Sequence, residues 1–161
     1  MNYEKKHKHT CDLRVPNYVI RGGTTYRDLA KENCTYLLEF LLSYIVRGKN
    51  KNSEVDLYEE YYKKGYLATC WAQSKLADIM GVSRSAIANK IKRLEDLGCL
   101  NIHKKVIHGK VQNVYVLGTV TEKIEGNKKV FYEDIYAWKA ILKHDLSNPE
   151  LEVMMSLPVT S

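Results

Sequence analysis

Three groups of side chains in this 161-residue chain have the types and spacing to do chemistry. The first is His7, His9 and Cys11, an alternation that puts three zinc-type ligands on one side of an extended chain. Lysines surround them, and like charge opposes a cation there, so the segment reads as a solvated basic tail without metal. The second is Tyr58, Tyr61 and Tyr62, which can stack on bases or cap a core with their hydroxyls in water. Their acidic neighbours Glu54, Asp56, Glu59 and Glu60 favour the capping role. The third is Ser83, Arg84, Ser85, Asn89, Lys92 and Arg93, followed by His103, Lys104, Lys105, His108 and Lys110. Arginine and asparagine can make two-point contacts with guanine and adenine edges, while serine, lysine and arginine hold phosphates.

Charge singles out the third group. The chain carries 25 Lys and Arg against 19 Asp and Glu, a net charge of +6. Residues 84–110 hold seven of those lysines and arginines against only Glu95 and Asp96, so a net five of the six positive charges fall in one sixth of the length. That concentration fits an anionic partner such as nucleic acid. Enzymatic chemistry has little to stand on: there is no phosphate loop, no HExxH and no GxSxG, and His103 and His108 suit phosphate contact better than acid–base work. No cofactor is expected. Cys11, Cys34, Cys70 and Cys99 form no CxxC pair and read as free thiols of a reducing compartment. The most apolar stretch, residues 36–46, is too short to span a bilayer and contains Glu39, and the first ten residues are polar and basic, so the expected location is the cytoplasm.

These side chains need a scaffold. Residues 1–12 form a polar arm, and the run from Leu13 to Ile20 is extended, with Pro16 keeping it off a central strand. A helix is expected over 26–47, where Leu37, Leu38, Leu41, Leu42, Ile45 and Val46 recur at three- and four-residue spacing. Residues 55–66 are ambiguous between helix and hairpin. LATCW (67–71) is β-prone. Gln73 to Met80 reads as a short helix offering Leu76, Ala77, Ile79 and Met80 to the interior. Gly81 ends it, Ser83 stands as N-cap, and a longer helix runs from Arg84 to Leu97 with Gly98 as its stop. Two alternating runs, Leu100 to Ile107 and Val111 to Leu117, are joined by His108-Gly109-Lys110 as a hairpin. Residues 121–129 read as a polar bridge. Phe131, Ile135, Trp138 and Leu142 then form one stripe of a further helix, and Asn148-Pro149 opens a last turn.

Ala77 is small where two crossing helices come close, Gly81 takes the positive φ of a tight turn, and Ile87 plugs the angle. With the hairpin behind it, the segment from Ala72 to Leu100 and on to Gly118 resembles the winged helix-turn-helix of MarR- and GntR-type regulators and of plasmid and phage replication initiators. The resemblance covers about 50 residues and rests on Leu76-Ala77, Gly81-Val82-Ser83-Arg84-Ser85, Ile87, Arg93-Leu94 and Gly98-Cys99-Leu100. One departure is Lys90, where simpler helix-turn-helix proteins keep an apolar residue. The fold it implies is mainly α with a small β-hairpin wing, an α+β winged helix-turn-helix with extra terminal helices. The chain then divides into an arm and extended segment (1–25), the winged domain (26–120) and a C-terminal helix (121–161).

At about 100° per residue, Ile91 and Leu94 fall within about 40° of Ile87, while Ser85, Asn89 and Lys92 point away with Arg93 on their flank. A recognition helix enters the groove by its first turn, which makes Arg84 and Asn89 the expected base readers. Ser85, Lys92 and Arg93 are the expected phosphate contacts, and the N-cap Ser83 is counted with them in the DNA-binding set. His103, Lys104, Lys105, His108 and Lys110 are the expected wing. The partner implied is double-stranded DNA, bound by a homodimer that pairs through terminal helices. The resemblance implies a transcriptional regulator, or alternatively a plasmid or phage protein that marks origin or centromere repeats. An effector ligand is not legible.

Overall fold

The computed structural model describes residues 23–49 and 56–145. His7, His9, Cys11, the 13–20 run and the turn at Asn148 lie outside those residues. The chain opens with two helices, α1 (Thr24–Lys31) and α2 (Cys34–Ser43). A single helix over 26–47 was expected. Asn33 breaks it by taking a left-handed conformation (φ 59°), which asparagine tolerates better than most residues. The apolar spacing is kept on both sides of the break: Leu29, Leu37, Leu38, Leu41 and Leu42 are all buried. Helical periodicity survives such a kink, so the pattern alone hides it.

A π-helical turn, Tyr58–Tyr62, precedes β1 (Tyr66–Trp71). Helix α3 (Gln73–Met80) and helix α4 (Arg84–Asp96) follow, joined by a three-residue turn with Gly81 left-handed at φ 69°. Ser83 Oγ accepts the Ala86 N–H at 3.1 Å and caps α4. Leu76 and Ala77 are buried, but Ile79, expected in the interior, is exposed. Strands β2 (Asn101–Ile107), β3 (Lys110–Glu125) and β4 (Lys128–Ile135) lead into α5 (Tyr136–Asp145). The β2–β3 turn is two residues, His108 (φ 50°) and Gly109 (φ 76°), the double positive φ of a type I′ hairpin.

The expectation of a mainly α chain with a small wing is corrected here. Four antiparallel strands form one sheet in an α+β architecture, with β3 of sixteen residues as its spine. The first half of β3 lies between β1 and β2. Gly118 and Thr119 pair with both β1 and β4, so β4 lies on the β2 side and continues the line of that strand. The 121–129 stretch read as a polar bridge is the far end of this β3–β4 ribbon. It escapes the period-two signature because every residue from Thr121 to Lys129 is exposed, so neither face selects apolar side chains. The helical stripe from Phe131 to Leu142 is corrected as well. Phe131 and Ile135 belong to β4, and Trp138 and Leu142 are buried in the molecule's own core.

That core lies on one face of the sheet, under α1 to α5, and includes Leu29, Leu38, Ile87, Leu94, Tyr115 and Ile141. Thr25 donates its backbone N–H to Asp145 Oδ1 at 2.7 Å, tying the start of α1 to the end of α5. A smaller cluster on the other face joins Leu57 and Tyr61 to Ala68, Val114 and Val116. Among the described residues, no helix is long and apolar enough to cross a membrane.

Candidate nucleic-acid interface

Helix α4 has two unlike sides. Ile87, Ile91 and Leu94 are fully buried, while Arg84, Ser85, Asn89, Lys92 and Arg93 are exposed. The three buried residues follow the i, i+4, i+7 spacing of one helix stripe, so packing them against α2 and α3 turns the polar set outward. Ser83 Oγ is occupied by the cap and lies 3.2 Å from Ser85 Oγ.

An open groove of about 390 Å³ runs between the start of α3, the start of α4 and the β2–β3 hairpin. Gln73, Ser74, Arg84, Lys104 and Asn113 line it. Arg84 and Lys104 have no acidic partner among the described residues, so the groove presents cations beside amides that both donate and accept. Such a lining suits phosphates and base edges. Gln73, Ser74 and Asn113 were not expected in the site. Asn113 was legible, because a two-residue turn at 108–109 forces Lys104 opposite Asn113, the register observed. Gln73 and Ser74 carry no comparable signal, since the long-range pairing of β1 with β3, Trp71 opposite Asn113, is what brings them there.

The expected wing residues are not brought together on one face. Strand β2 sends alternate side chains to opposite faces. Lys104 opens on the groove, whereas His103 and Lys105 face the π-helical turn. There His103 Nδ1 lies 3.3 Å from Tyr61 Oη, and Lys105 pairs with Glu60 and sits 5.6 Å from the Tyr61 ring centre. The Glu60 hydrogen bond is the largest influence raising the Lys105 pKa. Burial comes first in raising that of Tyr61. These groups border a separate cavity of about 660 Å³ with Tyr66 and Tyr136. Tyr61 therefore caps a core, as its acidic neighbours suggested. His108 and Lys110 sit exposed at the hairpin turn, next to exposed Val106 and Val111.

Within α4, Arg93 Nε lies 3.4 Å from Glu32 Oε2, and Lys90 Nζ donates to the Glu32 carbonyl. The turn between α1 and α2 thus draws two cations back toward the body. Lys90 takes this tether where an apolar residue is commoner, and Ile91 beside it does the packing. Among the described residues, no cluster of three or more His, Cys, Asp or Glu is placed to hold a metal ion. No family model matches the chain, and neither curated proteins nor solved structures give a significant match.

Proposed function

We propose that this chain binds double-stranded DNA sequence-specifically and acts as a transcriptional regulator. The observation that carries the reading is the two-sided α4, with three aliphatic anchors buried and Arg84, Ser85, Asn89 and Lys92 turned outward beside the Lys104 groove. The outward side of α4 enters the major groove by its first turn, where Arg84 and Asn89 reach base edges. Ser85, Lys92 and Lys104 hold phosphates on either side, and His108 and Lys110 bring the hairpin tip to the neighbouring backbone. Ser83 contributes through the cap rather than through a free hydroxyl. The protein acts in the cytoplasm by occupying DNA, with no reaction and no cofactor.

Selection of bound duplexes from a random pool tests this, with the native chain and with Arg84→Ala and Asn89→Ala. The native chain selects one motif. Each variant relaxes it at one or two base pairs and loses about 1–3 kcal/mol. Unchanged motif and affinity in both variants would overturn the groove assignment. The arrangement of natural sites then separates two roles. A palindrome near a promoter marks a regulator, and an array of direct repeats marks an origin or centromere.

A further inference from the structure

Strand β4 uses one edge against β3, and its other edge pairs with no strand among the described residues. Beyond Val120, the β3–β4 ribbon is a two-stranded structure, a form that is marginal in water by itself. An open edge of this kind is a template for another chain unless something blunts it. No proline or bulge interrupts β4, and Phe131 and Tyr132 are 50% and 43% exposed at its centre.

The order of side chains along the strand is what identifies the partner. Lys128 and Lys129 come first, then Val130, Phe131 and Tyr132, then Glu133 and Asp134. Two such strands laid antiparallel about Phe131 oppose Lys128 with Asp134, Lys129 with Glu133, Val130 with Tyr132, and Phe131 with itself. Every lysine meets a carboxylate. A slip of one residue in either direction retains only one kind of charge pair, and a parallel arrangement sets lysine on lysine. Cross-strand pairs of opposite charge stabilise a sheet and like charges oppose it, so the pattern selects both orientation and register.

We infer that the free edge of β4 is the interface with a second copy of this chain, related by a two-fold axis at Phe131 that joins the two sheets into one. The pairing leaves each residue on its own face. The two Phe131 rings meet where Tyr62 already lies 6.4 Å from Phe131 and stacks on Tyr58 at 5.9 Å. Glu133 is held by Arg47 at 2.6 and 2.9 Å, and Asp134 by Lys139 at 2.7 Å. A carboxylate accepts more than one donor, so these bonds fix the acids in place and leave them able to receive the lysines. Lys128 has no acidic partner among the described residues, and Lys129 pairs with Glu122 at 3.4 Å in an exposed contact that leaves its ammonium further donors for a second carboxylate. This interface replaces the terminal-helix seam expected from the sequence, whose Trp138 and Leu142 are interior, and it does not depend on what the chain binds.

The test is a charge exchange read by sedimentation equilibrium, with circular dichroism as the check on folding. The native chain is expected to be a dimer. Lys128→Glu with Lys129→Glu makes every opposed pair acidic, and Glu133→Lys with Asp134→Lys makes every pair basic. Each double variant should weaken self-association by about a hundredfold or more. An equimolar mixture of the two restores all the opposite-charge pairs and should sediment as a heterodimer. The first variant leaves Arg47 and Lys139 with their carboxylates but gives up the exposed Lys129–Glu122 pair (3.4 Å) within the ribbon, so circular dichroism decides for each variant whether the fold is kept. If either variant is unfolded, Lys128→Gln with Lys129→Gln, which removes the charges without adding acid, reads the same loss of self-association. A monomeric native chain overturns the inference, as does undiminished self-association of the lysine variant. Two folded variants that stay monomeric when mixed overturn the register.

Discussion

Ser83 shows how one side chain can be asked two questions. Its hydroxyl caps α4 through the Ala86 N–H, and it sits at the start of the helix proposed to meet DNA. Ser83→Ala removes the cap and should lower stability by about 1 kcal/mol in urea denaturation. Ser83→Asp keeps the cap, and its charge suits a helix N-terminus. On the proposed reading the same charge would face phosphates, so this variant should fold as stably as the native chain and yet bind DNA more weakly. Equal DNA affinity in the Asp variant would remove the first turn of α4 from the interface. Cys99 carries a separate prediction. Burial, followed by the nearby Cys34, pushes its thiol from the ordinary 9.0 up to about 12. Ionisation is therefore harder in the folded chain than in the unfolded one. The associated stability is complete below pH 9 and drains away as pH rises toward 12. Urea midpoints should fall across that window, and less steeply in Cys99→Ala. At neutral pH, iodoacetamide should label half-buried Cys70 before Cys99, as read from peptide masses. At this scale the sequence was informative about α4, because 100° arithmetic from Ile87 places Asn89 and Lys92 outward. It was uninformative about His103, whose neighbour Tyr61 comes from 42 residues away.

At the scale of elements, the hairpin's cations divide between two faces. Lys104 and Lys105 are adjacent in sequence but lie on opposite faces of β2. Lys104→Ala should weaken binding to all duplexes alike and lower the salt slope by about one phosphate contact. Lys105→Ala should leave DNA binding unchanged while breaking the Glu60 pair, an exposed contact of little consequence for stability. Equal losses from both variants would mean that the whole hairpin, rather than one face, meets DNA. Gly118 is the other element-scale test. It marks the point where β3 passes from between β1 and β2 to pair with β4. A Cβ there would lie 3.1 Å from the Asp134 carbonyl carbon and 3.2 Å from Ile135 Cα, backbone atoms that cannot move aside. Gly118→Ala should therefore destabilise the chain and loosen β4 first, which amide exchange of residues 128–135 would reveal. The type I′ turn, the α4 cap and the α3–α4 turn were legible because each depends on two or three adjacent residues. The β3–β4 ribbon was not, because its pairing is written in charges and β-branched residues without an apolar face to set a period.

For the whole molecule, the balance of charge depends on which cations the fold leaves unpaired, and this is where residue counts and structure part. Of the basic residues between 84 and 110, Lys90 and Arg93 are drawn to Glu32, and Lys105 to Glu60. Arg84, Lys92 and Lys104 keep no acidic partner among the described residues. Binding to DNA releases about 0.9 counterion per phosphate neutralised, so the slope of log affinity against log salt counts the cations in use. Glu32 and Glu60 then become opposite controls. Glu32 lies beside α4, and Glu32→Gln frees Arg93 on the flank of the outward face. Affinity should rise several-fold at low salt, and the slope should steepen by up to about 0.9. Glu60→Gln frees Lys105 on the far side of the sheet, so neither slope nor affinity should move. Both variants change net charge by the same amount, so a general electrostatic attraction would shift them equally. Only a defined interface on the α4 side makes them differ, and titrations of one duplex over a range of salt concentrations would measure that difference directly.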